Sequence, residues 1–142
     1  MLRDSEMLEY VHKATEMGRD GIRSVLKHTR PGEFQRALQQ QLTEYEKLNK
    51  SSANMLKERS QPLSHINPMA KASSQAMSAM QTMYDHSPSK IAEMMIQGNT
   101  MGMAKSLKHL HDYTQGDERV QDLATKLLQT EEANIDQMKK FL

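Results

Sequence analysis

Apolar side chains recur every three or four positions through four long stretches of this chain, the period of a helix that buries one face. In residues 4–28 the stripe is Met7, Val11, Ala14, Gly18, Ile22 and Val25. In residues 33–60 it is Phe34, Leu38, Gln41, Leu42, Tyr45, Leu48, Ser52 and Met55. Residues 88–113 align Ala92, Met95, Ile96, Asn99, Met103, Ser106 and Leu110. Residues 118–141 align Val120, Ala124, Leu127, Glu131, Asn134, Met138 and Phe141. A shorter additional helix, rich in Ala, Ser and Met, is expected over residues 68–86, third in chain order, so that residues 88–113 form the fourth run.

The breakers agree with this division. All four prolines fall where a helix starts or stops, because proline lacks the amide and clashes with the preceding turn. Thr29-Arg30-Pro31-Gly32 separates the first two runs, and Gln61-Pro62 closes the second. Asn67-Pro68 and Ser87-Pro88 each read as a cap followed by proline at the first helical position. Gly116-Asp117 ends the fourth run and caps the last, while Asp4 or Ser5 is placed to accept from the first free amides of the chain.

Runs of about 25 residues are each roughly 38 Å long at 1.5 Å per residue. The short connections near residues 30 and 115 make two antiparallel hairpins. About 28 residues lie between the hairpins, and a helix of about 20 residues covers about 30 Å. The expected fold is therefore all-α, with two antiparallel hairpins joined by a helical crossover, five helices in all, in a single domain over residues 1–142. A plain five-helix antiparallel bundle has the same order of elements, and periodicity does not separate the two.

Composition narrows the chemistry. Lys and Arg number 19 against 18 Asp and Glu, a formal charge of +1. There is no basic block and aromatics are 4%, so neither nucleic acid nor an anionic membrane is favoured as partner. Cysteine is absent, which removes disulfides, thiolate ligands and a thiol nucleophile and suits a reducing cytosol. The opening MLRDSEMLEYVHK has no apolar core and is not expected to act as a signal peptide. No window is apolar for long enough to span a membrane. With 13 Met and few aromatics, Leu and flexible Met must fill the interior.

The informative residues are the polar ones on the buried stripes. Glu131 lies mid-stripe on the last helix with Asn134 one turn on, Asn99 is central on the fourth run, and Gln41 and Tyr45 belong to the second. Asn49 falls at the edge of that stripe, and whether Gln41 reaches Asn99 depends on register. Glu9 and Glu16 fall opposite the first stripe, and Glu93 faces away from the fourth.

With IAEMMIQGNTMGM opening the fourth run and EEANIDQMKKFL ending the last, the two-hairpin layout resembles the ferritin-like superfamily. It looks closest to small bacterial members of the kind found in spore-formers. The resemblance implies a four-helix bundle whose active members carry an inward Glu on each of two helices and Glu-x-x-His on the other two. Only Glu131 matches such a ligand position; Asn134 stands where His is wanted and Asn99 where a carboxylate is wanted. The site is thus expected to be degenerate, with Glu131, Asn134, Asn99, Gln41 and Tyr45 forming a vestigial polar patch and no metal. One acid among neutral amides leaves the four positive charges of two divalent ions largely uncompensated.

Two further features stand out. Met77, Met80, Met83 and His86 follow at intervals of three, a soft-ligand row that suits Cu(I) but drifts about 60° and so fits packing better. The histidines form no metal-spaced pair, and most fall at helix ends or flanks. Gly98 and Gly102 sit in mid-helix at a cost of about 1 kcal/mol each, which points to close helix approach, and a second apolar row of Ile91, Met94 and Met101 is expected to dock on the crossover helix or on another subunit, the latter suiting a homodimer. No nucleophile elbow or phosphate loop occurs.

The chain is accordingly expected to be a non-catalytic helical bundle acting through protein–protein contacts, structural or associated with stress or sporulation. It would need no cofactor, have a homodimer mate or another protein as partner, and reside in the cytoplasm or a spore layer. The alternative is a metal-binding or metal-oxidising protein, taking iron or manganese near Glu131 or Cu(I) on the Met/His row.

Overall fold

The computed structural model describes residues 1–63, 84–114 and 116–142. Four α-helices account for almost all of them: α1 (Asp4–Leu26), α2 (Glu33–Glu58), α3 (Pro88–Asp112) and α4 (Glu118–Lys139). α1 packs on α2 and α3 on α4, giving two hairpins that pack on each other. The expected helix over residues 68–86 lies mostly outside the described residues, and Tyr84–His86, which are described, are not helical. Met77, Met80 and Met83 likewise lie outside them.

The contacts at the two ends fix the helix directions. At one end the Leu2 amide donates to the Asp112 carbonyl at 2.9 Å, and Arg59 Nη2 meets Asp117 Oδ2 at 2.7 Å. That end therefore gathers the start of α1, the ends of α2 and α3, and the start of α4. At the other end Phe34 meets Phe141 edge-on with centroids 4.9 Å apart, Lys140 meets Glu33, and His28 stacks on His86 at 4.0 Å. So α2 and α3 run parallel to each other and antiparallel to α1 and α4.

Local chemistry sets the ends. Ser87 Oγ accepts from the Lys90 amide at 3.3 Å with Pro88 at the first helical position, and Asp117 Oδ1 accepts from the Arg119 amide at 2.9 Å. α2 stops in a Schellman turn, in which the Gln61 amide reaches the Leu56 carbonyl at 2.9 Å and Ser60 adopts φ 54°. Glycine is the usual residue there, so serine costs about 1 kcal/mol. The start of α1 departs from expectation. Arg3 is the cap residue and makes no side-chain cap bond. Asp4 instead turns across the bundle end, where Oδ1 accepts from Tyr113 Oη and, at 3.0 Å, from the Asp117 amide.

The core is aliphatic, with Met7, Leu8, Val11 and Ile22 of α1 against Leu38 of α2, Ile91 of α3, and Val120, Leu127 and Met138 of α4. α1 buries a wider arc than a single stripe. Leu8, His12 and Glu16 are buried beside Met7, Val11 and Thr15. Glu16, expected opposite the stripe, is 3% exposed with Arg19 at 3.9 Å. His12, expected at a helix flank, is buried with its carbonyl accepting from Asn49 Nδ2 at 3.0 Å. No helix of the described residues is long and apolar enough to cross a membrane.

Candidate functional site

Halfway along the hairpins the aliphatic core gives way to a polar layer. Glu131, Asn134, Asn99, Tyr45 and Gln41 are all buried, because each sits on the inward stripe of its helix. They do not form a single cluster. Tyr45, Asn99 and Asn134 join three helices: Tyr45 Oη donates to Asn99 Oδ1 at 2.9 Å, and Asn134 Nδ2 donates to Tyr45 Oη at 3.3 Å. Asn99 Nδ2 is held by the Met95 carbonyl at 2.7 Å, which fixes the amide with its oxygen facing the tyrosine. The Tyr45 ring reaches this depth over Gly18, where an added Cβ would lie 2.8 Å from the ring.

Gln41 turns the other way. Its Nε2 donates to Gln137 Oε1 at 2.8 Å, not to Asn99. Its own Oε1 is buried with no hydrogen-bond partner among the described residues, a loss of about 1–3 kcal/mol against a satisfied group.

Glu131 belongs to a second chain of hydrogen bonds that joins α4, α3 and α1. The Ser106 hydroxyl donates to Glu131 Oε1 at 2.6 Å. Ser106 Oγ is also 2.8 Å from Tyr10 Oη, and with its proton directed at the carboxylate the serine accepts from the tyrosine. The Tyr10 ring stacks on His109 at 3.7 Å near the surface. The far oxygen of Glu131 lies against Gly102, where an added Cβ would overlap it.

Among the described residues no cation pairs with Glu131. Burial therefore pushes its carboxyl up to about 7, with Ser106 pulling down and neighbouring Glu132 pushing further up. The tyrosines respond in the same sense. Burial raises Tyr10 to about 12, opposed by Ser106 and aided by the Glu131 charge. Tyr45 is also raised, first by burial and then by Glu131. Both phenols stay protonated and serve as donors.

This donor set does not fit a pair of divalent ions. It offers one carboxyl, whose ionisation the interior already disfavours. The Asn99 oxygen already accepts from Tyr45, and the acceptor left over, Gln41 Oε1, is a neutral carboxamide. Among the described residues no three of His, Asp and Glu come together as a metal-ligand group. What the layer does chemically is hold register: each member reaches its partner only when the helices stand at one relative height.

Tyr10, Ser106 and Gln137 belong to the layer although they were not singled out in the sequence. Ser106 was visible on its inward stripe but is small and commonplace. Tyr10 lies one turn beyond Met7 at the edge of a stripe, and its hydroxyl matters only because Ser106 of α3 lies within 2.8 Å. Replacing Tyr45 with Phe should lower the unfolding free energy by about 1 kcal/mol, since Asn99 Oδ1 loses its 2.9 Å donor and Asn134 Nδ2 keeps that oxygen as its acceptor at 3.5 Å. Urea melts of the two proteins measure it, and an equal or higher midpoint for the variant would contradict the geometry.

No family model, no curated protein and no solved structure matches the chain.

Proposed function

We propose that the chain is a non-catalytic bundle of ferritin-like layout that acts through protein–protein contacts, as a structural or stress- or sporulation-associated component. The layout is supported by the helix directions. α2 finishes at one end of the bundle and α3 begins at the other, so the chain must pass from end to end between the hairpins, as in the one-crossover bundles of that superfamily. The additional helix expected in that passage belongs to the same proposal.

One observation carries the non-catalytic reading. Where an active bundle of this kind gathers carboxylates and imidazoles, this one places a single carboxyl bonded to Ser106 and a carboxamide pair bonded to Tyr45. The amides and Tyr45 satisfy one another, and the one carboxyl is tied to Ser106 with burial disfavouring its ionisation, far short of the negative charge that two divalent cations need. Elemental analysis of chain purified without chelator should return far less than one iron or manganese per chain. A thermal melt with excess Fe(II) under anaerobic conditions should show no shift, because an ion bound only to the folded state must raise the midpoint. About two ions per chain would overturn the proposal in favour of metal binding or oxidation.

A further inference from the structure

Glu131 is buried, yet a hydrogen-bonded path leads from it to the surface. Its Oε1 accepts from Ser106 at 2.6 Å, Ser106 Oγ lies 2.8 Å from Tyr10 Oη, and the half-buried Tyr10 ring stacks on His109 at 3.7 Å. A contact as short as the first is expected when a hydroxyl donates to a charged carboxylate. Ser106 has one proton, so while it points at the carboxylate the Tyr10 hydroxyl points inward, at the serine.

Neutral Glu131 has a proton of its own to place. Oε2 rests against Gly102 and meets no hydrogen-bond acceptor among the described residues, whereas Oε1 already faces Ser106. The proton therefore belongs on Oε1, with Ser106 Oγ as its acceptor. Ser106 then turns its own proton to Tyr10 Oη, and Tyr10 offers its proton outward. Either oxygen of the Tyr10–Ser106 pair can be the donor, because a hydroxyl both gives and accepts. The protons balance: solvent supplies one, each hydroxyl keeps one, and the carboxyl gains one.

We propose that Glu131, Ser106 and Tyr10 form a proton relay: when the carboxyl gains or loses its proton both hydrogen bonds reverse, and the phenol is freed or withdrawn as a donor at the surface. Burial places the carboxyl's transition at about 7, so the reversal falls near neutral pH. Below it Tyr10 donates outward, and above it inward. The groups that face the carboxyl come from all four helices. Glu132 adjoins it on α4 and raises it further, and Tyr45 of α2 donates to Asn99 rather than to the carboxyl. On α3 it meets Ser106, with His109 beyond and Lys105 exposed. On α1 it acts through Tyr10, whose neighbour Glu9 is paired with Lys13 at 3.0 Å. The relay goes beyond the protein-contact reading and stands without it.

Ultraviolet absorption reads the phenol, undisturbed by Trp, of which the chain has 0, and infrared absorption of the protonated carboxyl reads Glu131. In a titration of the full chain through neutral pH, both signals should change together with a midpoint near 7. Glu131→Gln should lose both. Tyr10→Phe should keep the infrared change and lose most of the ultraviolet one. Ser106→Ala should do the same, with its infrared midpoint moved to higher pH, because the serine's bond favours the ionised form. An ultraviolet change undiminished by Ser106→Ala would mean that the charge acts on tyrosine through space. One undiminished by Tyr10→Phe would belong to Tyr45, and one that survives Glu131→Gln to another group such as His109. Each of these overturns the relay. So does a wild type whose carboxyl fails to titrate in this range, or titrates with no change at tyrosine because the proton sits on Oε2. That last measurement needs no variant to fold.

Discussion

Glu131→Gln should stabilise the bundle at pH 8 by about 2–3 kcal/mol and leave it nearly unchanged at pH 4. The carboxyl titrates at about 7 in the fold against 4.5 for an ordinary glutamate, because burial disfavours its charged form. The folded state therefore binds the proton more tightly than the unfolded chain does. The stability contributed by protonation is complete below about pH 4.5, drains away as pH rises towards 7, and is absent above that. A shift of this size corresponds to about 3 kcal/mol as an upper figure, from which the glutamine amide, with one more donor to place, subtracts something. The variant keeps the acceptor for Ser106 and cannot ionise, so its stability lacks this slope. Denaturant melts of both proteins from pH 4 to 8 give the difference directly, with the other titrating groups cancelling. Parallel pH profiles for the two proteins would show that Glu131 is solvated or neutralised in a way this geometry does not contain.

The same residue shows how far the sequence can be read. Its burial was legible, since Glu131 shares a stripe with Val120, Leu127 and Met138, and a 3.6-residue period places all four on one face. The four long helices were legible for the same reason, helped by Pro31, Pro62 and Pro88, which fall at or beside their ends. What a stripe cannot give is the partner across the core. Whether Gln41 meets Asn99 depends on register, and the fold gives it Gln137 of α4 instead. Asp4 was a reasonable cap by local rules, yet it serves residues more than a hundred positions away, Tyr113 and Asp117. His12 and Glu16 were misplaced because a single-stripe reading allows one buried face, whereas α1 is covered over a wider arc.

Gly102→Ala should destabilise the chain by about 2–3 kcal/mol, the reverse of what helix propensity predicts. Alanine is the better helix former by about 1 kcal/mol, and at an open helical position that gain would appear as added stability. At Gly102 the new methyl would occupy the space of Glu131 Oε2. The carboxyl cannot simply swing aside, because Ser106 holds its other oxygen at 2.6 Å and the Tyr10 hydroxyl backs the serine. Either the Ser106 bond breaks and leaves a buried carboxyl unsatisfied, or α3 and α4 move apart and lose packing along their length. Removing the obstacle should remove the cost. In Glu131→Ala the carboxyl is gone, and adding Gly102→Ala to that background should be neutral or stabilising. The double-mutant cycle should thus show a coupling of about 2 kcal/mol or more between two residues 29 positions apart in the sequence. Additive effects would mean that Glu131 does not rest on the α3 backbone, and the glycine would then need another explanation.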